Sequence, residues 1–274
     1  MTINLDLVID TEEDSVDMKA GLASMQGVSD AVRCISETIL TGKVPERQSP
    51  KSMVRTSLKK SFKGSYGHIF TLDIHDPELQ KKLNKISQSA FIELITYFLS
   101  ESIYRESNQL SFKAQRALDQ LEEKAEKLIQ QLRGSALENI HEISTKFNHD
   151  IKIRHRRSRD EQVVIAKFDR NSAKVLQTIT TNEKIDLRVV VTRLNIHTGN
   201  GRLQIDGKDE TTAFGFGIEY KEVEFRAKKI FSENLDYNNG LNPKGWKYLD
   251  IIASPIKLRD GKVIKYIIRG FHED

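Results

Sequence analysis

Between residues 79 and 103 the chain carries Leu79, Leu83, Ile86, Phe91, Ile92, Leu94, Ile95, Phe98, Leu99 and Ile103. Wound as an α-helix, these positions occupy most of the circumference. A helix that is apolar nearly all round has to be buried on most sides. The start is punctuated by Asp76-Pro77-Glu78: a capping carboxylate, a proline suited to the first turn and an acid at the positive end of the dipole. The spacing predicts one long central helix over 77–104, around which the rest of this half must be built.

A second helix is predicted over 110–133. Leu110, Ala114, Ala117, Leu121, Ala125, Leu128 and Leu132 recur at heptad-like intervals in it, and Gly134 ends it. Ser135 with Glu138 forms a capping-box pattern for a third helix to about residue 147. The apolar girth of 77–104 exceeds what one neighbour covers. Self-association through helices 77–104 and 110–132 is therefore expected.

Upstream, INLDLVID (residues 3–10) alternates as a strand does, and Leu22, Met25, Val28, Val32, Ile35 and Ile39 form an amphipathic helical stripe capped by Gly42. Residues 53–62 and 68–74 read as two strands of a hairpin. Downstream, residues 185–196, 202–205, 211–218, 246–256 and 262–271 read as strands, with one helix over 223–235 and a turn at Arg259-Asp260-Gly261. Unpaired edges favour closure of such a set.

The fold class is α+β. Residues 1–150 form an α/β half with a β-hairpin and a three-helix segment. Residues 151–183 form a basic linker with a short strand and a short helix. Residues 184–274 form a small β-barrel, SH3-like or OB-like, with one helix.

Over 274 residues the net charge is only +4, but it is unevenly placed. Residues 51–75 carry 5 basic and 1 acidic side chains, and residues 151–183 carry 8 and 4. A dedicated nucleic-acid binder shows a stronger overall bias. The first basic segment, VRTSLKKSFKGSYG, sets Lys59, Lys60 and Lys63 beside Tyr66 and two glycines. It lacks the GxxxxGK[ST] order, and a strand rather than a helix follows it, so it is not a P-loop. Two readings stand: a hairpin turn with solvated lysines, or a polyanion contact with an aromatic for stacking. The second segment offers Arg154, Arg156, Arg157 and Arg159, either as phosphate contacts or as a solvated linker.

Asp73 and His75 share a strand face and could ligate a metal or act as acid and base, although a third ligand has to come from elsewhere. The single cysteine, Cys34, sits among apolar helix positions and reads as a small core residue. One cysteine, no run of 18 apolar residues and an acidic rather than basic start fit a cytoplasmic protein that does not contact membrane. The GxSxG, HExxH, GxGxxG and paired CxxC patterns do not occur, and no cofactor is expected. Trp246, at the start of a C-terminal strand, is a candidate stacking platform.

The stretches LTGKVPER (residues 40–47) and VRTSLKKSFKGSYG (residues 54–67) resemble those of a family of bacterial proteins that pairs an N-terminal α/β half with a C-terminal β-rich half. The resemblance covers the first hundred residues best. It implies a bacterial cytoplasmic origin and brings with it no activity, substrate or catalytic residue. Many families of this kind are accessory parts of multi-protein systems, anti-phage defence included. The leading expectation is a non-enzymatic interaction or scaffold protein that binds a protein or nucleic-acid partner. The alternative is a metal-dependent enzyme acting on nucleic acid or nucleotide.

Overall fold

The alternation in residues 3–10 produces a strand with two different faces. In β1 (Thr2–Ile9), Ile3, Leu5, Leu7 and Ile9 are buried on one side, while Thr2 and Asn4 are exposed on the other. In the computed structural model, which describes residues 1–12, 15–47, 49, 51–62 and 65–272, the chain divides into two compact units, Met1–Leu176 and Gln177–Asp274.

In the first unit β1 is followed by helix α1 (Met18–Thr41), which Asp17 caps by accepting from the Ala20 N–H at 2.9 Å. Gly42 ends it in the left-handed region at φ 69°. Strands β2 (Val54–Phe62) and β3 (Tyr66–Ile74) form the predicted hairpin. The sheet order is β2-β3-β1-β4-β5, antiparallel throughout, where β4 is Ile151–Arg156 and β5 is Gln162–Phe168.

The segment expected as a basic linker is thus two strands of the sheet. Ile151, Ile153 and His155 are buried and alternate with half-buried Lys152, Arg154 and Arg156. The apolar face completes the core, and the cations find carboxylates on β1, which a free linker would not offer.

The central helix is buried as its girth demands, but it is two helices, α2 (Pro77–Ile86) and α3 (Gln88–Ser102). Ser87 breaks it at φ 78°, ψ 149°, and its hydroxyl accepts from the Ala90 N–H to start α3. The heptad-like stretch is also divided, into α4 (Phe112–Asp119) and α5 (Glu123–Gln131), with Glu122 at φ 49° between them. The break lets both halves bury their stripes: Ala114, Ala117, Leu118 and Leu121, then Ala125, Leu128 and Ile129. A π-turn over Leu132–Ala136 links α5 directly to α6 (Leu137–Ile140) and α7 (Glu142–Phe147), so the capping box expected at Ser135 does not form. Helix α8 (Arg170–Ala173) closes the unit on a capping box between Asp169 and Ser172.

The apolar positions invoked for self-association, from Leu83 to Ile103 and from Ala114 to Leu132, are largely buried within this unit. Leu79, Ile86 and Leu110, also invoked, are half-buried.

The second unit is a closed five-stranded barrel. A short strand β6 (Thr178–Thr180) pairs with β10 outside the ring. Strands β7 (Ile185–Leu194), β8 (Gly201–Ile205) and β9 (Thr211–Phe216) form a meander. Helix α9 (Phe225–Asn238) follows, then the hairpin β10 (Leu249–Leu258) and β11 (Val263–Phe271). Closure runs β7-β8-β9-β11-β10-β7, with β9 and β11 parallel. A meander of three, a helix, then a hairpin whose last strand pairs in parallel with the third is the OB-type arrangement rather than the SH3-like one. Val189, Val191, Leu203, Phe214, Ile251 and Ala253 fill the interior, and α9 plugs it with Phe231. Asn234 on α9 accepts from the Val191 N–H at 2.8 Å, tying helix to barrel. Among the described residues, no helix of either unit is long and apolar enough to cross a membrane.

Candidate functional site

The basic segments were the first candidates, and the cations of β4 are already paired with carboxylates. Asp6 on β1 is fully buried, yet it points to the polar face of the sheet. Arg156 grips it with Nε at 2.7 Å and Nη2 at 2.9 Å, and Arg154 adds Nη2 at 3.0 Å. Both guanidinium groups also lie over the Phe62 ring, at 5.4 and 5.8 Å from its centroid. Phe62 in turn lies flat across Gly67, where any Cβ would overlap the ring. The two basic segments do meet in space, but around an internal carboxylate.

Lys152 pairs with Asp10 at 2.6 Å, Lys167 with Asp150 at 2.7 Å and Arg157 with Glu161 at 2.8 Å. The Arg159 side chain is exposed at the β4–β5 turn. Lys59 and Lys60 are exposed on β2, and Tyr66 is half-buried edge-on to His68. Lys63 lies outside the described residues.

Asp73 is held by hydroxyls: Ser57 at 2.7 Å, Thr71 at 2.9 Å and Thr2 at 2.8 Å. Partial burial pushes its carboxyl up, but these hydrogen bonds and Lys59 outweigh that and hold it below the usual carboxylate range. It is a cross-strand tie rather than an open ligand. His75 is exposed, and its backbone N–H donates to the Met53 carbonyl. His68 faces the opposite side. Among the described residues, no three His, Cys, Asp or Glu side chains gather in a way that would hold a metal ion.

Burial pushes the Cys34 thiol up to about 12, which makes it inert as a nucleophile. His141 and Ser172 were not foreseen as a pair. The His141 Nε2 stands 2.8 Å from the Ser172 hydroxyl, and Nδ1 stands 2.8 Å from the Leu137 carbonyl. This has the make-up of a base and a nucleophile. However, His141 is 1% and Ser172 7% exposed, and the serine closes the cap of α8. The pair ties the α6–α7 junction to α8.

Two of the concavities in the first unit involve the candidate strands and helices. The smaller, about 280 Å³, runs between the edge strand β2 and helix α1. Leu7, Leu22, Met25, Val28, Leu58 and Phe70 make it apolar, and Ser29, Thr56 and His68 add a few polar atoms. Ser29 and Thr56 hydroxyls lie 2.6 Å apart across it. Burial lowers the His68 imidazole pKa, so it stays neutral. Leu58, Leu22 and Met18 are 64%, 58% and 77% exposed. Leu22 and Met25 read from spacing as core. Only the tertiary structure shows that their end of α1 overhangs an open sheet edge.

The larger concavity, about 830 Å³, lies beside β5 and α3 and mixes polar and apolar lining about evenly. His155 lines it, and its Nε2 is buried without a hydrogen-bond partner. Burial, then the neighbouring Arg157, lowers the pKa of this imidazole.

In the barrel, Trp246 follows the turn Pro243–Gly245, half-buried, with its indole N–H donating to the Leu241 carbonyl at 3.1 Å. Phe214 and Phe216 pack on Phe231 instead of forming an external platform. OB-type barrels bind polymers on the outer face of their second and third strands. Here that face carries Arg202 and Ala213, with Lys265 beside them, and all three are buried, at 3%, 7% and 9% exposure.

No protein-family model, curated protein or solved structure matches this chain. The likeness noted for residues 40–47 and 54–67 therefore has no family match beside it.

Proposed function

We propose that the protein is a non-enzymatic interaction module whose N-terminal unit captures an extended segment of a partner protein between β2 and α1. The observation that carries this reading is the placement of an apolar cleft directly beside a free strand edge. A peptide added to such an edge gains main-chain hydrogen bonds, and alternate side chains drop into the adjoining groove. A cleft of about 280 Å³ takes two or three apolar side chains. Arg55, Lys59 and Lys60 are exposed along the same strand, so acidic residues suit the positions that point away from the groove. Edge strands are also commonly protected by lysines and bulges, and β2 has both, with its bulge between Leu58 and Lys60. The exposed apolar residues beside it argue for use rather than protection alone. A role as an accessory component of a larger assembly follows naturally from such a groove.

The test is fluorescence polarisation of the full chain with octapeptides alternating Leu or Val with Asp or Glu, against scrambled and Lys-substituted controls. Binding is expected for the alternating acidic set, with protection of β2 amide protons on addition. Leu58→Asp, at an exposed position, should weaken it by about tenfold or more while leaving the melting temperature unchanged. No binding, or binding indifferent to Leu58→Asp, overturns the reading. A dimer whose β2 amides are already protected without peptide would assign the groove to a second copy instead. Preferential binding of single-stranded nucleic acid at low salt would favour the polyanion alternative.

A further inference from the structure

The cleft beside β5 is a separate concavity, and its chemistry is different. Helix α3 forms one wall, the end of β4 and the start of β5 another, and residues 107–110 the rim. The polar lining includes four carboxamides, Asn4, Gln88, Asn108 and Gln109, beside hydroxyls such as Ser89 and Thr96 and the Glu93 carboxylate, which accepts from the Ser111 N–H. Each carboxamide presents a donor and an acceptor side by side, the geometry that pairs with the edge of a nucleobase. Val163, 41% exposed, pairs with His155 and shares its face, so it offers apolar surface against which a flat ring can lie, whereas Val164, paired with Arg154, points to the other face.

At the end of β4 the character turns cationic. Arg156 is committed to Asp6. Arg157 is not so bound: its partner Glu161 sits with it on the hairpin, each side chain 57% exposed, and such a pair is easily exchanged. Next to it, His155 is 8% exposed with an unmet Nε2. A buried polar atom without a partner is a cost that a ligand atom at that point removes. At about 830 Å³ the space exceeds a nucleoside and accommodates one with a phosphate.

We propose that this cleft binds a nucleoside monophosphate, with the base edge on the carboxamides, the ring against Val163, and the phosphate at Arg157 beside the His155 imidazole. The site is independent of the β2–α1 groove, and each stands or falls alone.

Isothermal titration of the full chain with AMP, GMP, CMP and UMP tests it, with adenosine and inorganic phosphate as separate arms. At least one nucleotide is expected to bind more tightly than about 1 mM and more tightly than either part alone. Nitrogen-15 spectra should show the His155 Nε2 resonance moving on addition. Arg157→Gln should weaken the nucleotide by about tenfold and leave adenosine unaffected, and Asn108→Ala should weaken both. Both residues are exposed, so the variants are expected to fold. No nucleotide binding at several millimolar overturns the proposal, as does binding that leaves His155 unmoved or is indifferent to both substitutions. Inorganic phosphate binding as tightly as the nucleotides would overturn the base-reading half and reduce the site to an anion contact.

Discussion

Asp6→Ala removes a fully buried carboxylate that accepts three charge-assisted hydrogen bonds, at 2.7, 2.9 and 3.0 Å. Removing one partner of a buried ion pair costs about 3–5 kcal/mol, because the remaining charge is stranded. The Arg154 and Arg156 side chains keep 23% and 17% of their surface in water, which lets them partly rehydrate. The lower end, about 3 kcal/mol, is therefore expected. Asp6 sits in the middle strand of the sheet, paired with β3 on one side and β4 on the other. The loss should appear as faster native-state hydrogen exchange of the β1 and β4 amides, by about two orders of magnitude. A triple change, Asp6→Leu with Arg154→Met and Arg156→Leu, removes all the charges together and should recover most of the loss. A change under about 0.5 kcal/mol for Asp6→Ala, typical of surface sites, would refute the view that this carboxylate organises the sheet. The result also bears on function. Arg154→Glu or Arg156→Glu would set like charges around Asp6 and unfold the unit, so neither can probe nucleic-acid binding. Arg157→Glu with Arg159→Glu is the clean probe.

Four further outcomes are expected. Gly27→Ala should cost about 2 kcal/mol, read as a drop of several degrees in melting temperature, because its Cβ would stand 2.5 Å from the Ile140 nitrogen and 2.6 Å from the Ala136 oxygen where α1 crosses α6. With its thiol pushed up to about 12, Cys34 should resist iodoacetamide in the native protein at pH 8 and react only on unfolding; rapid native labelling would contradict its burial. Burial lowers the pKa of His68, His141 and His155. The unfolded chain therefore binds protons more readily, so stability holds above about pH 6.5 and is lost as pH falls through it. Urea midpoints should drop between pH 7.5 and 5.5, and a flat profile would count against all three. Lys59→Ser with Lys60→Gln should leave stability within about 0.5 kcal/mol, since both lysines are exposed on β2; any larger loss would mean that the strand edge relies on them.

Local pattern was a good guide to what each stretch becomes and a poor one to where helices break. Alternation marked β1, a short strand was read where β5 forms, and the β2–β3 hairpin was legible from its glycines. The αL cap at Gly42 and the β10–β11 turn at Gly261, φ 88°, are backbone demands that only a few residues meet, so they too were readable. Ser87 and Glu122 carry no such mark. Both adopt positive φ where the helical layer turns to keep its apolar stripes packed on the neighbouring helices, and the packing enforces what the residues do not prefer.

The candidate sites divide along the same line. Composition and period are properties of neighbours along the chain. They were sufficient for an α+β protein with a helical core layer, a β-rich C-terminal half and a small barrel, because burial of apolar faces depends on spacing alone. Whether a charge is free depends instead on register. Asp6 and Arg156 are 150 residues apart, and only the β1–β4 pairing sets them together and ties Arg154 and Arg156 to a buried carboxylate. The choice between OB-type and SH3-like barrels rested on one parallel pairing, β9 with β11, which no local pattern encodes. The groove at β2 and the cleft at His155 are spaces between elements. They arise from residues far apart in the chain, and only the packing of helices on the sheet brings their walls together.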